Sequence, residues 1–460
     1  MGLAATVERH RAFFNAGTTR PLEFRRAQLE ALRAALAKHE GALLAALYSD
    51  LRKSAYQGYA TEIALVRAEL RVALRNLKRW TASSRRRVPL LFWPARGSVQ
   101  AEPLGVALIF APWNYPAQLL LTPLISAIAA GNCVVLKPSE LAPHTADAIA
   151  EMIRDTFAPE FVSVALGGAE VATALLHERF DKIFFTGSAR VGRAVMAAAA
   201  RNLTPVTLEL GGKCPAIVCG DADIEVAARR IAWGKFLNAG QTCVAPDFVL
   251  VQREVSARFL AALKAARRNF YDEDASQSQD YGRIVNETHF RRLTSYLADG
   301  KIADGGASDQ AALYLEPTIL TDVAPEAAVM HEEIFGPILP VIEFNKIDEA
   351  IALLRGHPSP LALYLFTRDR RNESRLLRDV PSGGVCINDV IAHMVGTDLP
   401  FGGVGESGMG SYHGRAGFRA FSHERATLRR ANWPDFGLLY PPQRLSLARL
   451  KRVLRIFLRG

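Results

Sequence analysis

Cysteine is scarce in this chain: Cys133, Cys214, Cys219, Cys243 and Cys386 are the only five among 460 residues. They are too few and too scattered for a disulfide framework, and they lack the paired spacing of a zinc site. No metal is therefore expected, and the setting is expected to be reducing and cytoplasmic. Long hydrophobic runs are also missing. Residues 1–11 lack the apolar core of a signal peptide, and the longest apolar stretch, Leu119–Ala130, is broken by Pro123 and too short to span a bilayer. A nucleic-acid signature is absent too. The net charge is +10, but Arg444, Arg449, Lys451, Arg452, Arg455 and Arg459 supply six positive charges with no acid among the last 17 residues. Basicity is a property of the tail, and no nucleic-acid partner is expected. With 49% hydrophobic and 22% charged residues the chain is too apolar to be disordered. Its length suggests two or three domains.

What is present is alternation. Apolar positions three and four apart predict helices through residues 8–80, and the basic stretch Ser83–Pro94 reads as a connection. From Val106 the pattern changes to short apolar runs separated by helical segments. Strands are expected at Val106–Phe110, Cys133–Leu136, Phe161–Leu166, Lys182–Thr186, Thr207–Leu210, Ala216–Val218 and Phe248–Val251. Helices are expected between them, including His144–Phe157, Ala169–His177, Ala189–Asn202 and Ile224–Asn238. This order predicts an α/β fold with a doubly wound parallel sheet. The glycine-rich run Phe401–Gly410 has no periodicity and reads as an ordered loop.

Six segments carry chemistry. Asn238-Ala-Gly-Gln-Thr-Cys243 follows an amphipathic helix, and its glycine allows a backbone that projects the thiol into a cavity. The other four cysteines sit in or beside strand-like runs and read as small buried hydrophobes. In Leu208-Glu209-Leu210-Gly211-Gly212-Lys213 the leucines desolvate the carboxylate, which raises its pKa toward that of a general base. The alternative is an edge carboxylate paired with a neighbour such as Lys213. Pro112-Trp-Asn114-Tyr-Pro116 lies past the end of an apolar strand, where Asn114 either donates to an oxyanion or only braces a proline-rich turn. Lys137 and Glu140 suit the two hydroxyls of a ribose. Gly187 and Ser188, between a strand and a helix start, suit a pyrophosphate, although the segment is not the GxGxxG fingerprint. Finally, His331-Glu-Glu333-Ile-Phe335-Gly-Pro337 is a polar loop whose aromatic suits a flat ring.

Taken together, these segments resemble the aldehyde dehydrogenase superfamily, and within it the class 3 group of dimeric enzymes for aromatic and medium-chain or fatty aldehydes. The resemblance runs from about residue 8 to 440 and includes LTPVTLELGGK, GQTCVAPD, EEIFGP and LPFGGVGESGMGSYHG. It implies oxidation of an aldehyde to an acid with NAD or NADP. Cys243 matches the nucleophile, Glu209 the general base, and Asn114 the oxyanion donor, with the Cys243 N–H as its partner. In the class 3 group Glu333 has also been considered for the base role. Lys137 and Glu140 match the adenosine-ribose pair, Gly187 and Ser188 the pyrophosphate turn, and Glu333 and Phe335 the nicotinamide contacts. The acid at Glu140 favours NAD over a 2′-phosphate, yet class 3 relatives accept both cofactors.

The same resemblance implies a cofactor domain over residues 1–210 and a catalytic domain over 211–390. A bridging β arm from 84–101 and 391–428 would join a homodimer, and 429–460 form a C-terminal extension. Tyr115, Leu119, Trp233, Phe401, Tyr412 and His413 are expected to line an aromatic funnel for the substrate. The tail interleaves Leu445, Leu447, Leu450, Val453, Leu454, Phe457 and Leu458 with its basic residues. Such a helix either lies peripherally on an anionic membrane surface or packs on the body or on a partner. Two further activities stand as alternatives: a CoA-acylating enzyme, which generally lacks the base that Glu209 provides, and a non-catalytic binding protein, which would not need Cys243.

Overall fold

The computed structural model describes residues 2–395, 399–434, 440–442 and 445–458. Its centre is a pair of mostly parallel sheets. The first runs in the order Gly408–Met409, Val206–Glu209, Lys182–Thr186, Val106–Phe110, Cys133–Lys137, Val162–Val164, and only the Gly408–Met409 strand is antiparallel. The Val106, Cys133 and Lys182 strands are buried along their whole length, which explains why they read as unbroken apolar runs rather than alternating ones. The chain builds outward from Val106–Phe110 in one direction, then returns to build in the other. That leaves a topological switch between the Val106 and Lys182 strands, where the loops on either side part and a crevice forms.

The second sheet has seven strands in the order Lys301–Asp304, Thr318–Thr321, Ile338–Phe344, Phe248–Gln252, Pro215–Val218, Ala362–Phe366, Gly384–Ile387. All neighbours are parallel except the antiparallel edge strand Lys301–Asp304. The apolar stretch near Leu119 is a helix, Gln118–Ala130, with all of its residues buried between the first sheet and the N-terminal helices. Its hydrophobicity serves a core, and no described helix is long and apolar enough to cross a membrane.

The basic stretch that reads by composition as a connection contains a short strand, within the segment where the resemblance implies a β arm. Ser84–Arg86 pairs antiparallel with Arg96–Pro103, which pairs in turn with Ser422–Arg429 over eight residues. Three residues of Ser and Arg carry no apolar alternation, so only their partner strand reveals them as sheet. The Phe401–Gly410 segment is ordered but not merely a loop. Phe401 bridges to Tyr412, and Gly408–Met409 extends the first sheet beside Glu209. In the tail, Leu447–Phe457 forms a helix with no buried residue. Arg444, Arg459 and residues 396–398 of the expected arm lie outside the described residues.

Candidate active site

A cleft of about 620 Å³ opens at the carboxyl ends of the first sheet's strands and reaches the loop that precedes Phe248. Cys243, Glu209 and Asn114 line it, as do Lys137, Glu140, Gly187, Ser188, Glu333, Phe335 and Leu119. Residues far apart in sequence meet because each lies just beyond a strand: Asn114 after Val106–Phe110, Glu140 after Cys133–Lys137, Gly187 after Lys182–Thr186, and Glu209 at the end of Val206–Glu209.

The thiol is presented by a strained turn. Asn238, Ala239 and Gly240 all have positive φ, 55°, 51° and 73°, immediately after the helix Ile224–Phe236. Only glycine adopts this region freely, so packing must hold the first two there. At Gly240 a side chain is also excluded, because it would strike the Gly336 carbonyl. The turn is tied to the Asn114 loop: Asn114 Nδ2 donates to the Gln241 carbonyl at 3.0 Å, and Asn238 Nδ2 donates to the Asn114 carbonyl at 3.0 Å. Gln241 anchors the turn to the next loop, donating to the Arg283 carbonyl at 2.9 Å and accepting from the Val285 N–H at 3.0 Å. Cys243 itself is partly exposed to the cleft, whereas the other four cysteines are buried. Desolvation, then the nearby Glu333 and Glu209, push the Cys243 thiol up to about 12.

Glu209 is 2% exposed, and neither carboxyl oxygen has a hydrogen-bond partner among the described residues. Desolvation raises its pKa well above the ordinary carboxyl range. Lys213 does not pair with it; that ammonium pairs with Asp247 and donates to the carbonyls of Val329 and Glu332 at 2.8 and 2.9 Å. A buried orphan carboxyl is costly unless something outside the resting protein meets it. Glu333 is half-buried and leaves only its Oε1 without a partner among the described residues, and desolvation, then Asp247, raise it to about 8. Its carboxylate lies directly over Gly211, where any side chain would collide with it.

The remainder of the cleft fits a dinucleotide. The half-exposed Glu140 is joined to the buried Lys137 ammonium at 3.2 Å, giving an acceptor and a donor side by side. Ser188 caps the helix Ala189–Ala200 by accepting the Val191 N–H, so the first-turn N–H groups point into the cleft mouth. At the inner end Phe335 meets Trp113 edge-to-face at 5.3 Å, and Trp113 meets His289 at 5.4 Å, making an aromatic wall.

Of the residues expected in an aromatic funnel, one lies in this cleft and five lie outside its lining. Leu119 lines the cleft, but Tyr115, Phe401, Tyr412, His413 and Trp233 do not. Tyr115 is buried, its ring 4.0 Å from the Lys53 ammonium and its hydroxyl 2.7 Å from Thr242 Oγ1. Phe401, Tyr412 and His413 are spent on one another, with ring centroids 4.3–5.9 Å apart. Trp233 is 43% exposed on its helix. Sequence reading also missed Trp113, His289, Arg190 and Arg292 as cleft residues. Trp113 sits in the quoted PWN segment and Arg190 in the turn after Ser188, but nothing flags His289 and Arg292, whose role depends on which loops face each other.

Comparisons agree with this geometry. A profile of the aldehyde dehydrogenase family matches residues 3–427. The 4,4′-diaponeurosporen-aldehyde dehydrogenase of Staphylococcus aureus is 46% identical over 434 residues, covering 94% of this chain and 95% of that protein. The dimeric NADP-preferring aldehyde dehydrogenase of Rattus norvegicus is 44% identical, covering 97% and 99%. The solved substrate-bound state of Staphylococcus aureus AldH superposes with a TM-score of 0.97 at 44% identity, covering 99% of this chain and all of that one. An indole-3-acetaldehyde dehydrogenase solved with NAD+ superposes at 0.85 with 28% identity, covering 93% and 88%.

Proposed function

The chain belongs to the aldehyde dehydrogenase family, an NAD(P)-dependent enzyme that oxidises aldehydes to acids, and we propose that turnover runs through Cys243, Asn114 and Glu209. The observation that carries this reading is the pair of buried, unpartnered Glu209 oxygens in the same cleft as the one partly exposed cysteine. Cys243 attacks the carbonyl carbon as the thiolate, its proton lost to cleft water, and the new oxyanion is held by Asn114 Nδ2 and the Cys243 N–H. Bound nicotinamide supplies one thing, acceptance of the hydride that leaves this carbon. What remains on Cys243 is a thioester. A water meeting the vacant Glu209 oxygens loses a proton to that carboxylate and attacks the thioester carbonyl, and Cys243 leaves as thiolate. Glu209 thereby favours hydrolysis over acyl transfer to CoA. In H2¹⁸O, one labelled oxygen per acid released is the expected result. Acid formed only when CoA is added would contradict the reading.

Aromatic or medium- to long-chain aldehydes are the substrates in this reading, with support from Leu119 in the cleft and from the diaponeurosporen-aldehyde in the name of the Staphylococcus aureus relative. Lys137 and Glu140 suit the adenosine ribose hydroxyls. Because a 2′-phosphate would meet the Glu140 carboxylate, Glu140→Ala raises kcat/KM for NADP relative to NAD by about tenfold, read from initial rates with each cofactor. An unchanged ratio would remove Glu140 from the discrimination.

The working form is a homodimer in this proposal. Support comes from the word dimeric in the name of the rat relative and from Ser422–Arg429, an edge strand exposed along nearly its whole length. Such an edge is usually covered or charged, and a partner would cover this one. Sedimentation equilibrium is expected to give twice the chain mass. A monomer at micromolar concentration would contradict it.

A further inference from the structure

The chemistry above makes no use of an ion pair buried behind Asn114. Lys53 and Glu62 are 1% and 0% exposed, with Lys53 Nζ 2.6 Å from Glu62 Oε1. Two local irregularities put them there. Arg52, with φ of 58°, ends the helix Glu40–Leu51 in a left-handed turn that brings Lys53 inward. Glu62 sits in a π-helical turn, Tyr59–Ile63, inside an otherwise α-helical run from Ala55 to Thr81. Such turns are rare and concentrate where a side chain must be re-aimed for function.

Both groups spend their remaining bonds on one loop. Lys53 Nζ donates to the Asn114 carbonyl at 2.7 Å, the same oxygen that accepts from Asn238 Nδ2 at 3.0 Å. Glu62 Oε2 accepts the N–H groups of Ala117 and Gln118 at 2.8 and 3.2 Å, where the helix Gln118–Ala130 begins. The segment from Asn114 to Gln118 is therefore clamped at both ends by a single pair. The ammonium also lies 4.0 Å from the Tyr115 ring centroid, and the Tyr115 hydroxyl reaches Thr242, the residue before Cys243. Two donors on one carbonyl fix the plane of the Asn114 peptide, which fixes where its side-chain amide is aimed.

We propose that Lys53 and Glu62 are positioning residues that hold Asn114 as an oxyanion donor in register with Cys243, an inference that rests on the reaction assigned above. A buried ion pair is a poor device for stability alone, since apolar packing of the same volume often serves as well or better. Its value lies in geometry. A donor aimed before the charge develops needs no reorganisation when it does, and small misplacements at a reacting centre have large rate effects.

The test is a double-mutant cycle on the full-length enzyme, with rates read as ratios to wild type. Lys53→Met is expected to lower kcat by about 10–100-fold while leaving the aldehyde KM and the cofactor Kd within about threefold. Added to Asn114→Ala, the same substitution is expected to remove less than about threefold, because its route of action is already gone. A loss as large in the Asn114→Ala background as in wild type overturns the proposal. So does a fall in melting temperature or cofactor affinity with kcat unchanged, which is what a merely structural pair would give. Where Lys53→Met does not fold, Glu62→Gln preserves shape and enters the same cycle with the same two expectations. A wild type without aldehyde turnover would overturn the functional reading and this inference with it, whereas turnover with additive losses overturns this inference alone.

Discussion

Cys243→Ala is expected to lower reduced-cofactor formation from every aldehyde by at least about 10⁴-fold, because without a covalent bond to carbon there is no alkoxide to expel hydride. No neighbouring group takes over. The thiol nearest in the fold, Cys214, is fully buried, donates to the Cys243 carbonyl at 3.3 Å and accepts the Ala362 N–H at 3.3 Å. Burial raises its pKa well above the usual thiol range, so it stays protonated and enclosed. The substitution touches little else. Cys243 is partly exposed at the cleft, so melting temperature and cofactor binding are expected to remain near wild type. Stopped-flow absorbance of the reduced cofactor with a parallel thermal melt reads both. Residual turnover within a factor of ten of wild type would place the nucleophile elsewhere.

Glu209→Gln separates the two halves of the reaction. Acylation is expected to survive, giving a burst of about one reduced cofactor per site, while steady turnover falls by about 10²–10⁴-fold. Intact-protein mass spectrometry during the slow phase is expected to find the acyl group on Cys243. Loss of the burst along with the steady rate would assign Glu209 to an earlier step, and an unchanged steady rate would transfer the base role to Glu333. The pH dependence follows from the same burial. The folded pKa of Glu209 is raised, so between its unfolded and folded values the native state holds one proton more than the unfolded chain. Its contribution to stability is full below the unfolded carboxyl pKa and is lost as pH rises toward the folded one. Deacylation needs the ionised form and therefore speeds up as pH rises. Glu209→Gln is expected to flatten that rate profile and to be the more stable protein at pH 8 relative to pH 5. The trade of stability for a poised group is common at active sites.

Most of the cleft was legible from sequence because of how parallel sheets are built. An apolar run that stops abruptly at polar residues marks the carboxyl end of a buried strand, and such ends share one edge of the sheet. Phe110, Lys137, Thr186 and Glu209 are four such ends, so Asn114, Glu140, Gly187 and Glu209 come together with no long-range information. Cys243 was legible because polar, turn-forming residues surround it, unlike Cys133 or Cys219 within apolar runs. What sequence hid is pairing across distance. Nothing local marks Lys53 as bound to Glu62 and the Asn114 carbonyl, or Lys213 as held by Asp247 rather than Glu209. The packing of the aromatic residues was hidden for a related reason. Tyr412 and Phe401 are as hydrophobic beside a substrate as in a core, and only their contacts show that the core has them.

Aldehyde oxidation in this cleft is tested most simply by the initial rate of reduced-cofactor formation by the purified enzyme. NAD and NADP would each be offered with aldehydes from short aliphatic through long-chain to benzaldehyde-like, with and without CoA. The expected result is steady turnover without CoA, one acid per reduced cofactor, fastest with a long-chain or aromatic aldehyde. No reduced cofactor from any aldehyde with either nucleotide, CoA present or absent, would contradict the claim.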